Sequence, residues 1–172
     1  MNFEAIATSL PLYASGALTT LQLLVAALAI GMAIALPLAM LRSLPSPWAS
    51  RPVWLFTYVI RGTPMLVQLF LLYYGLAQFD AVRDSLLWPW LKSAWFCAVA
   101  AFAINTCAYT TEILHGAIQA VPAGEVEAAR ALGCTPRHIM LREILPNVLS
   151  PVLVVATFRM AYVIIMEASL SF

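Results

Sequence analysis

One spacing in this sequence resembles a metal-binding pattern, namely Glu112-Ile113-Leu114-His115. A Glu and a His three positions apart on a helix are ligands in di-iron bundles, but those sites need a second such pair and further carboxylates. The sequence supplies neither, and His138 is too far along the chain to help. It also contains no His-Glu-x-x-His motif and no Ser/His/Asp arrangement. We therefore predict neither a metal site nor an enzyme.

Polar side chains inside apolar stretches are better candidates for function, because burying them in lipid is costly. Asn105, Tyr109 and Glu112 are spaced i, i+4 and i+7, which places them on one face of a helix. They are candidates for the lining of a translocation path, and interhelical hydrogen bonds that only hold a bundle together are the alternative. Arg159 stands in another apolar run, where we expect it to find Glu167, Glu112 or a water-filled path.

The composition indicates that these residues lie in a membrane protein. Of the 172 residues, 63% are hydrophobic and 10% are charged, and the mean hydropathy is +0.89. The net charge of +1 gives no argument for a strongly charged partner such as nucleic acid. The three cysteines form no Cys-x-x-Cys or Cys-x-x-His spacing, so neither zinc nor a disulfide framework is indicated.

We predict an all-α, multi-spanning bundle in one domain, residues 1–172, because four stretches approach the length of about 20 apolar residues that a spanning helix needs. The predicted spans are about 17–41, 64–78, 92–114 and 145–166, and loop 114–144 joins the last two. Arg61-Gly62-Thr63-Pro64 interrupts the second stretch. Thr63 can cap a helix whose first turn holds Pro64, so Pro52–Ile60 is predicted to be a separate interfacial helix.

Lys and Arg are distributed unequally between the two sides of the predicted bundle. Six arginines fall in segments 42–61 and 114–144, against Arg83 and Lys92 on the other side. Because positive charge collects in short cytoplasmic loops, we predict that the N-terminus faces outwards and that loop 114–144 is cytoplasmic. The loop should form two short helices. Pro122 starts the first, Gly133 ends it in a left-handed turn, and Thr135-Pro136 starts the second.

Loop 114–144 and its flanks carry a resemblance to a known family. Glu127-Ala128-Ala129, then Gly133, then Leu145-Pro146 resembles the cytoplasmic EAA loop in the membrane subunits of ABC importers. Further stretches are similar to signatures of the polar amino acid branch, especially histidine, lysine, arginine and ornithine permeases. These stretches are Arg61–Leu69, Tyr73–Gly75, Asn105–Ile113, Gly116–Ile118 and Val121-Pro122. In this order they cover most of the chain.

The resemblance implies a type I permease of a bacterial ABC importer, which moves polar, in particular basic, amino acids across the inner membrane by ATP-driven alternating access. It implies that Arg61-Gly62-Thr63-Pro64 is a structural signature and that a second set of residues couples the spans to a separate ATPase. That set is Glu127, Ala128, Ala129, Gly133, Leu145 and Pro146. The partners would be an ATP-binding subunit, a second identical or homologous permease, an external solute-binding protein and the lipid bilayer.

A nucleotide-binding motif is missing from the chain itself. The sequence contains no Gly-x-x-x-x-Gly-Lys-Ser/Thr loop, which is the loop that cradles nucleotide phosphates in many ATPases. We therefore expect this chain to bind no cofactor, and ATP to be bound and hydrolysed on a partner subunit.

Two departures from the family pattern leave alternatives open. Glu143 stands two positions before Leu145, where the polar amino acid pattern has an apolar residue. The stretch from Thr135 to Phe172 is more similar to di- and oligopeptide permeases, so the chain is either a mosaic of the two families or a divergent member of one. Both families continue with at least one further spanning helix, so we expect the sequence to be truncated. The alternative functions are peptide uptake, a truncated remnant that transports nothing, and a channel or scaffold without an ATPase.

Overall fold

The computed structural model describes the backbone of residues 3–170 and the side chains of residues 10–148, 150–166 and 168. Within the described backbone every regular element is a helix, as predicted. The helices are α1 (Phe3–Arg42), α2 (Pro47–Gly62), α3 (Met65–Phe70, continued by a π-helical turn Leu71–Gly75 and a 3₁₀ turn Leu76–Gln78), α4 (Asp80–Arg83), α5 (Trp88–Leu91), α6 (Ala94–Gln119), α7 (Ala123–Ala131), α8 (Pro136–His138, continued by a π-helical turn Ile139–Ile144) and α9 (Leu145–Leu170).

Two of these helices are long and apolar enough to cross a membrane unaided, namely Leu10–Arg42 of α1 and all of α6. Two further spans arise if each bent helix pair counts as one. Pro47–Gly62 and Met65–Gln78 meet at 104°, and Pro136–Val148 meets Ser150–Met166 at 45°. The described chain therefore holds two to four candidate spans, and the prediction of about four corresponds to counting both bent pairs.

Helix α6 is the centre of the fold, and it packs against α1, α2, α3 and α9. Its closest partner is α1, which presents a stripe of small residues at every fourth position. The stripe consists of Ala27, Gly31, Ala35 and Ala39, and all four are buried. Small residues at this spacing let the backbones of membrane helices approach closely. The stripe therefore fixes where α1 lies along α6, and hence where the polar residues of α6 face.

Gly31 has the closest approach in this stripe, and replacing it by valine should destabilise the fold. A Cβ atom at position 31 would lie 2.8 Å from the Ala103 carbonyl oxygen and 2.9 Å from the Thr106 Cβ. Overpacking of this kind costs about 1–3 kcal/mol, so we expect Gly31→Val to lower the melting temperature of the detergent-purified protein. Gly16→Val on the same helix is the matched control, because nothing lies within 4 Å of a Cβ there. Equal melting temperatures for the two variants would contradict the packing described.

The break between α2 and α3 falls at the predicted Arg61–Pro64 segment, but Thr63 plays a different part from the one predicted. Its hydroxyl makes no capping bond to α3. It lies 3.1 Å from the Val59 carbonyl oxygen of α2 and accepts a hydrogen bond from Gln68 Nε2 at 2.7 Å. The prediction of a Thr63 cap was wrong, because the unsatisfied carbonyls at the end of α2 compete for the hydroxyl. The helix before the break is also longer than the predicted Pro52–Ile60.

The segment between α6 and α9 forms two short helical pieces, α7 and α8, as predicted. Pro122 is the residue before α7, and Thr135 caps α8 by accepting a hydrogen bond from the His138 amide at 3.3 Å. Gly133 has φ +80°, in the left-handed region that suits glycine. The first short helix therefore begins and ends, and the second begins, at the residues that the local sequence indicated, while the second continues through the π-helical turn into α9.

Candidate functional site

Helix α7, which carries the predicted Glu-Ala-Ala motif, has one inward and one outward face. Val126 and Ala129 pack against the apolar cluster that joins α6, α8 and α9. Glu125, Glu127 and Ala128 are exposed. The loop is thus anchored to the spans through its apolar side while its acidic side stays open to another molecule.

The end of α7 is a Schellman turn built around Gly133. The Gly133 amide donates to the Arg130 carbonyl at 2.9 Å, and the Cys134 amide donates to the Ala129 carbonyl at 3.1 Å. This pair of bonds requires a residue in the left-handed backbone conformation directly after the helix. Leu132, just before it, is 85% exposed. The turn therefore holds a large apolar side chain out at the tip of a polar loop.

Leu145 and Pro146 begin α9 and lie at the base of the same loop. Leu145 is half-buried and Pro146 is exposed, between the buried residues Ile144 and Val148. A cleft of about 470 Å³ opens nearby between the end of α6, the start of α7 and α9. Its lining includes Val121, Pro122, Glu125, Asn147 and Pro151. All the predicted coupling residues thus lie on one connected unit at the same end of the spans.

The predicted polar face of α6 is the second group of candidate residues. Asn105 is only 3% exposed and joins three helices. Its Nδ2 donates to Gln68 Oε1 of α3 at 3.3 Å, and its Oδ1 accepts a bond from Arg159 Nη1 of α9 at 2.8 Å. Both ends of the amide are satisfied, so Asn105 orients Gln68 and Arg159.

Arg159 meets aromatic rings and an amide where sequence reasoning expected an acidic partner or water. Its guanidinium carbon lies 3.9 Å from the centre of the Tyr109 ring and 5.5 Å from that of Tyr162. Glu112, one expected partner, is bound elsewhere, and the side chain of Glu167, the other, lies outside the described residues. The expectation of a Glu112 partner was wrong. Glu112 faces α1 and α2, whereas Arg159 lies over the ring of Tyr109, about one helical turn before Glu112 on α6.

Glu112 belongs to a buried polar cluster at the predicted cytoplasmic end of α6. Its Oε1 accepts from Arg42 Nε at 3.2 Å and from Thr57 Oγ1 at 2.6 Å. Arg42 Nη1 also donates to Ser50 Oγ at 2.8 Å. The Arg42 and Glu112 side chains are only 20% and 16% exposed. This cluster ties α1, α2 and α6 together, which corresponds for Glu112 to the alternative of interhelical hydrogen bonding, although the sequence did not identify its partners.

His115 extends the polar face of α6, one turn beyond Glu112. Its Nδ1 is 2.9 Å from Ser43 Oγ. Among the described side chains no group of three or more His, Cys, Asp or Glu could hold a metal ion. Glu112 bonds to α1 and α2, and His115 contacts Ser43 in the segment that joins them.

The Arg61–Pro64 signature lies beside the same polar face. The Arg61 guanidinium carbon is 5.3 Å from the centre of the Tyr109 ring, and the Tyr109 hydroxyl lies 3.5 Å from the Arg61 carbonyl oxygen. Tyr109 therefore contacts two arginines, Arg61 and Arg159. The three predicted path residues do not share one environment. Asn105 and Tyr109 contact Arg159, whereas Glu112 forms an ion pair with Arg42.

Comparison with known proteins places this arrangement in a family. The family described as "Binding-protein-dependent transport system inner membrane component" matches residues 27–172. The octopine transport system permease protein OccM of Rhizobium radiobacter is 40% identical over 152 residues, which is 88% of this chain and 59% of OccM. The histidine/lysine/arginine/ornithine transport system permease protein HisM of Escherichia coli is 43% identical over 136 residues, 78% of this chain and 57% of HisM. The chain thus spans less than two thirds of these relatives.

Solved structures agree with the sequence comparison. The crystal structure of an amino acid ABC transporter with histidines matches with a TM-score of 0.81 and 33% identity, covering 99% of this chain and 76% of that one. The inward-facing MetNI methionine ABC transporter matches with a TM-score of 0.75 at 19% identity, covering 94% of this chain and 74% of that one, which supports the fold alone. These comparisons do not favour the di- and oligopeptide alternative. The chain belongs to the family of binding-protein-dependent transport system inner membrane components, and it is a multi-pass inner-membrane protein.

Proposed function

We propose that this chain is the permease subunit of a bacterial ABC importer for polar, in particular basic, amino acids. It works by alternating access, driven by ATP that a separate subunit hydrolyses. A second permease subunit and an external solute-binding protein complete the transporter. Family membership supports this proposal, and so do the names of the relatives. HisM is described as a histidine/lysine/arginine/ornithine permease and OccM as an octopine permease.

The single structural observation that carries the proposal is the exposed, anchored unit α7–Gly133. Its inward residues Val126 and Ala129 pack on the spans, so a force on α7 is transmitted to α6 and α9. Its outward residues are Glu125, Glu127 and Ala128, together with Leu132, which is 85% exposed, so this side of the loop is open to contact with another protein. We assign this surface to the ATPase.

The proposed path runs past Asn105 and Tyr109, where polar side chains of α3, α6 and α9 meet inside the bundle. Glu112 lies further along the same face, in the cluster that holds α1 and α2. In this proposal Glu112 stabilises the helix packing at the end of the path. Asn105 and Tyr109 contact the transported amino acid or the side chains that bind it.

The proposed docking surface predicts that Leu132→Glu weakens the ATPase complex. Burying a leucine contributes about 1.5–3 kcal/mol, so its replacement by a charge should lower the affinity for the ATPase about tenfold or more. The measurement is the amount of ATPase that co-purifies with the tagged chain. Leu86→Glu is the matched control, because Leu86 is 95% exposed in the segment between α4 and α5. If no ATPase co-purifies with the wild-type chain, the proposed function is wrong.

The orientation is proposed from the arginine distribution and can be tested with the same two positions. In a variant without Cys97, Cys107 and Cys134, we would introduce cysteine at Leu132 or at Leu86. A membrane-impermeant maleimide added to intact spheroplasts should label Leu86→Cys and spare Leu132→Cys. Inside-out vesicles should give the reverse. The opposite pattern would place the N-terminus in the cytoplasm.

A further inference from the structure

We propose that Arg159, held by Asn105 and the rings of Tyr109 and Tyr162, binds the α-carboxylate of the transported amino acid. This inference rests on the proposed function and assigns one chemical group of the cargo to one side chain. Its starting observation is an arginine inside α9 that faces an open pocket of about 350 Å³. Tyr109, Phe158, Arg159 and Tyr162 line that pocket.

The hydrogen-bonding capacity of Arg159 is mostly unused. A guanidinium carries five N–H donors, and in the described chain one nitrogen, Nη1, bonds to Asn105 Oδ1 at 2.8 Å. The Arg159 guanidinium carbon lies over the Tyr109 ring at 3.9 Å and over the Tyr162 ring at 5.5 Å. These cation–π contacts are not hydrogen bonds to an oxygen acceptor. A guanidinium can use its remaining N–H donors to bond a carboxylate with two parallel hydrogen bonds.

The charge of Arg159 is also uncompensated among the described residues. The ion pairs of the described chain are Arg42–Glu112 and Arg83–Asp80, and neither includes Arg159. Glu167 stands eight residues further along α9, which is a rise of about 12 Å. A charge inside a membrane span normally pairs or marks a ligand or ion pathway. Here the neutral Asn105 and two tyrosines hold the guanidinium in place without cancelling its charge.

The neighbouring charge decides which end of an amino acid binds. Arg61 lies 5.3 Å from the same Tyr109 ring, so the pocket has two positive groups near it, whereas Glu112 is engaged by Arg42 and Thr57. Such a site attracts an anion and repels a cation. The carboxylate of a basic amino acid should therefore face Arg159, and its cationic side chain should point away from this pocket.

The test compares L-arginine with agmatine, which is the same molecule without the carboxylate. Binding to the purified permease–ATPase complex is measured by saturation-transfer NMR in the absence of the solute-binding protein, which would impose its own selectivity. We expect the wild type to bind L-arginine about tenfold or more tightly than agmatine, as a charge-assisted bidentate pair provides. In Arg159→Gln this preference should disappear through loss of L-arginine affinity. Arg159→Lys, which keeps the charge and loses the fork, should be intermediate.

Arg83→Gln, the same substitution at the last residue of α4, is the matched control and should keep the full preference. Equal binding of the two ligands by the wild type, or no binding of L-arginine, overturns the assignment without any variant having to fold. An unchanged preference in Arg159→Gln also overturns it. ATP hydrolysis stimulated by the loaded binding protein is measured on the same preparations. If stimulation is present and the preference is absent, this inference fails alone, whereas absent stimulation counts against the proposed function.

Discussion

Replacing Gly133 by valine should abolish the stimulation of ATP hydrolysis by the loaded solute-binding protein, while the chain still inserts into the membrane. Gly133 has φ +80°, a conformation that costs a β-branched residue about 1–3 kcal/mol. The Schellman turn relieves that strain by opening, which breaks the bonds from the Gly133 and Cys134 amides to Arg130 and Ala129. Leu132 then loses its fixed position relative to α7. The measurement is the ratio of stimulated to basal ATP hydrolysis in proteoliposomes.

Gly124→Ala is the matched control for this loop. Gly124 lies in α7, nothing is within 4 Å of a Cβ built there, and its φ is negative. Alanine also favours a helix, so coupling should be kept. If Gly133→Val stimulates as well as the wild type, the turn does not transmit the motion of the ATPase.

Breaking the ion pair between Arg42 and Glu112 should have the largest effect on stability. Both side chains are about one fifth exposed or less, and Glu112 also accepts a bond from Thr57 at 2.6 Å. Removing one partner leaves a largely buried charge unpaired, which costs about 3 kcal/mol or more. We expect Arg42→Met and Glu112→Gln each to destabilise the protein by that amount, and the double variant to lose much less than the sum. The measurement is the free energy of unfolding in detergent.

The exposed pair Arg83–Asp80 is the matched comparison, since its side chains are 54% and 92% exposed and 4.0 Å apart. Surface pairs contribute little, so Arg83→Met and Asp80→Asn should leave the unfolding free energy almost unchanged. Additive losses at Arg42 and Glu112 would mean that the two residues act independently, contrary to the cluster described.

Local signals predicted the elements of this fold well. The turn at Gly133, the cap at Thr135 and the break at Arg61–Pro64 each depend on a few neighbouring residues whose backbone preferences are strong. The π-helical turns Leu71–Gly75 and Ile139–Ile144 were not predicted, because no residue type marks them. The stripe of small residues on α1 was visible in the sequence as a repeat of four, and it is the signal that could have identified the face of α1 that packs closely on another helix.

The candidate site was harder to predict, because its contacts join residues far apart in the chain. The spacing of Asn105, Tyr109 and Glu112 placed them on one helix face, but it could not show which neighbouring helix each would meet. Arg159 is the clearest case. From the sequence alone Glu167, Glu112 and a water-filled path were all left open, whereas in the described chain Asn105 bonds to Arg159 and the Tyr109 ring lies under its guanidinium. Such neutral partners can be recognised only when the packing of α6 against α9 is known.

The most direct test of the central claim is uptake of radiolabelled L-arginine into proteoliposomes that contain this chain, its ATPase and its second permease subunit. The loaded solute-binding protein is in the external buffer and ATP is inside the vesicles. We expect L-arginine to accumulate inside against its concentration gradient, and we expect Gly133→Val to abolish this accumulation. Accumulation that needs neither ATP nor the binding protein, or no accumulation of any basic amino acid by the complete transporter, would contradict it.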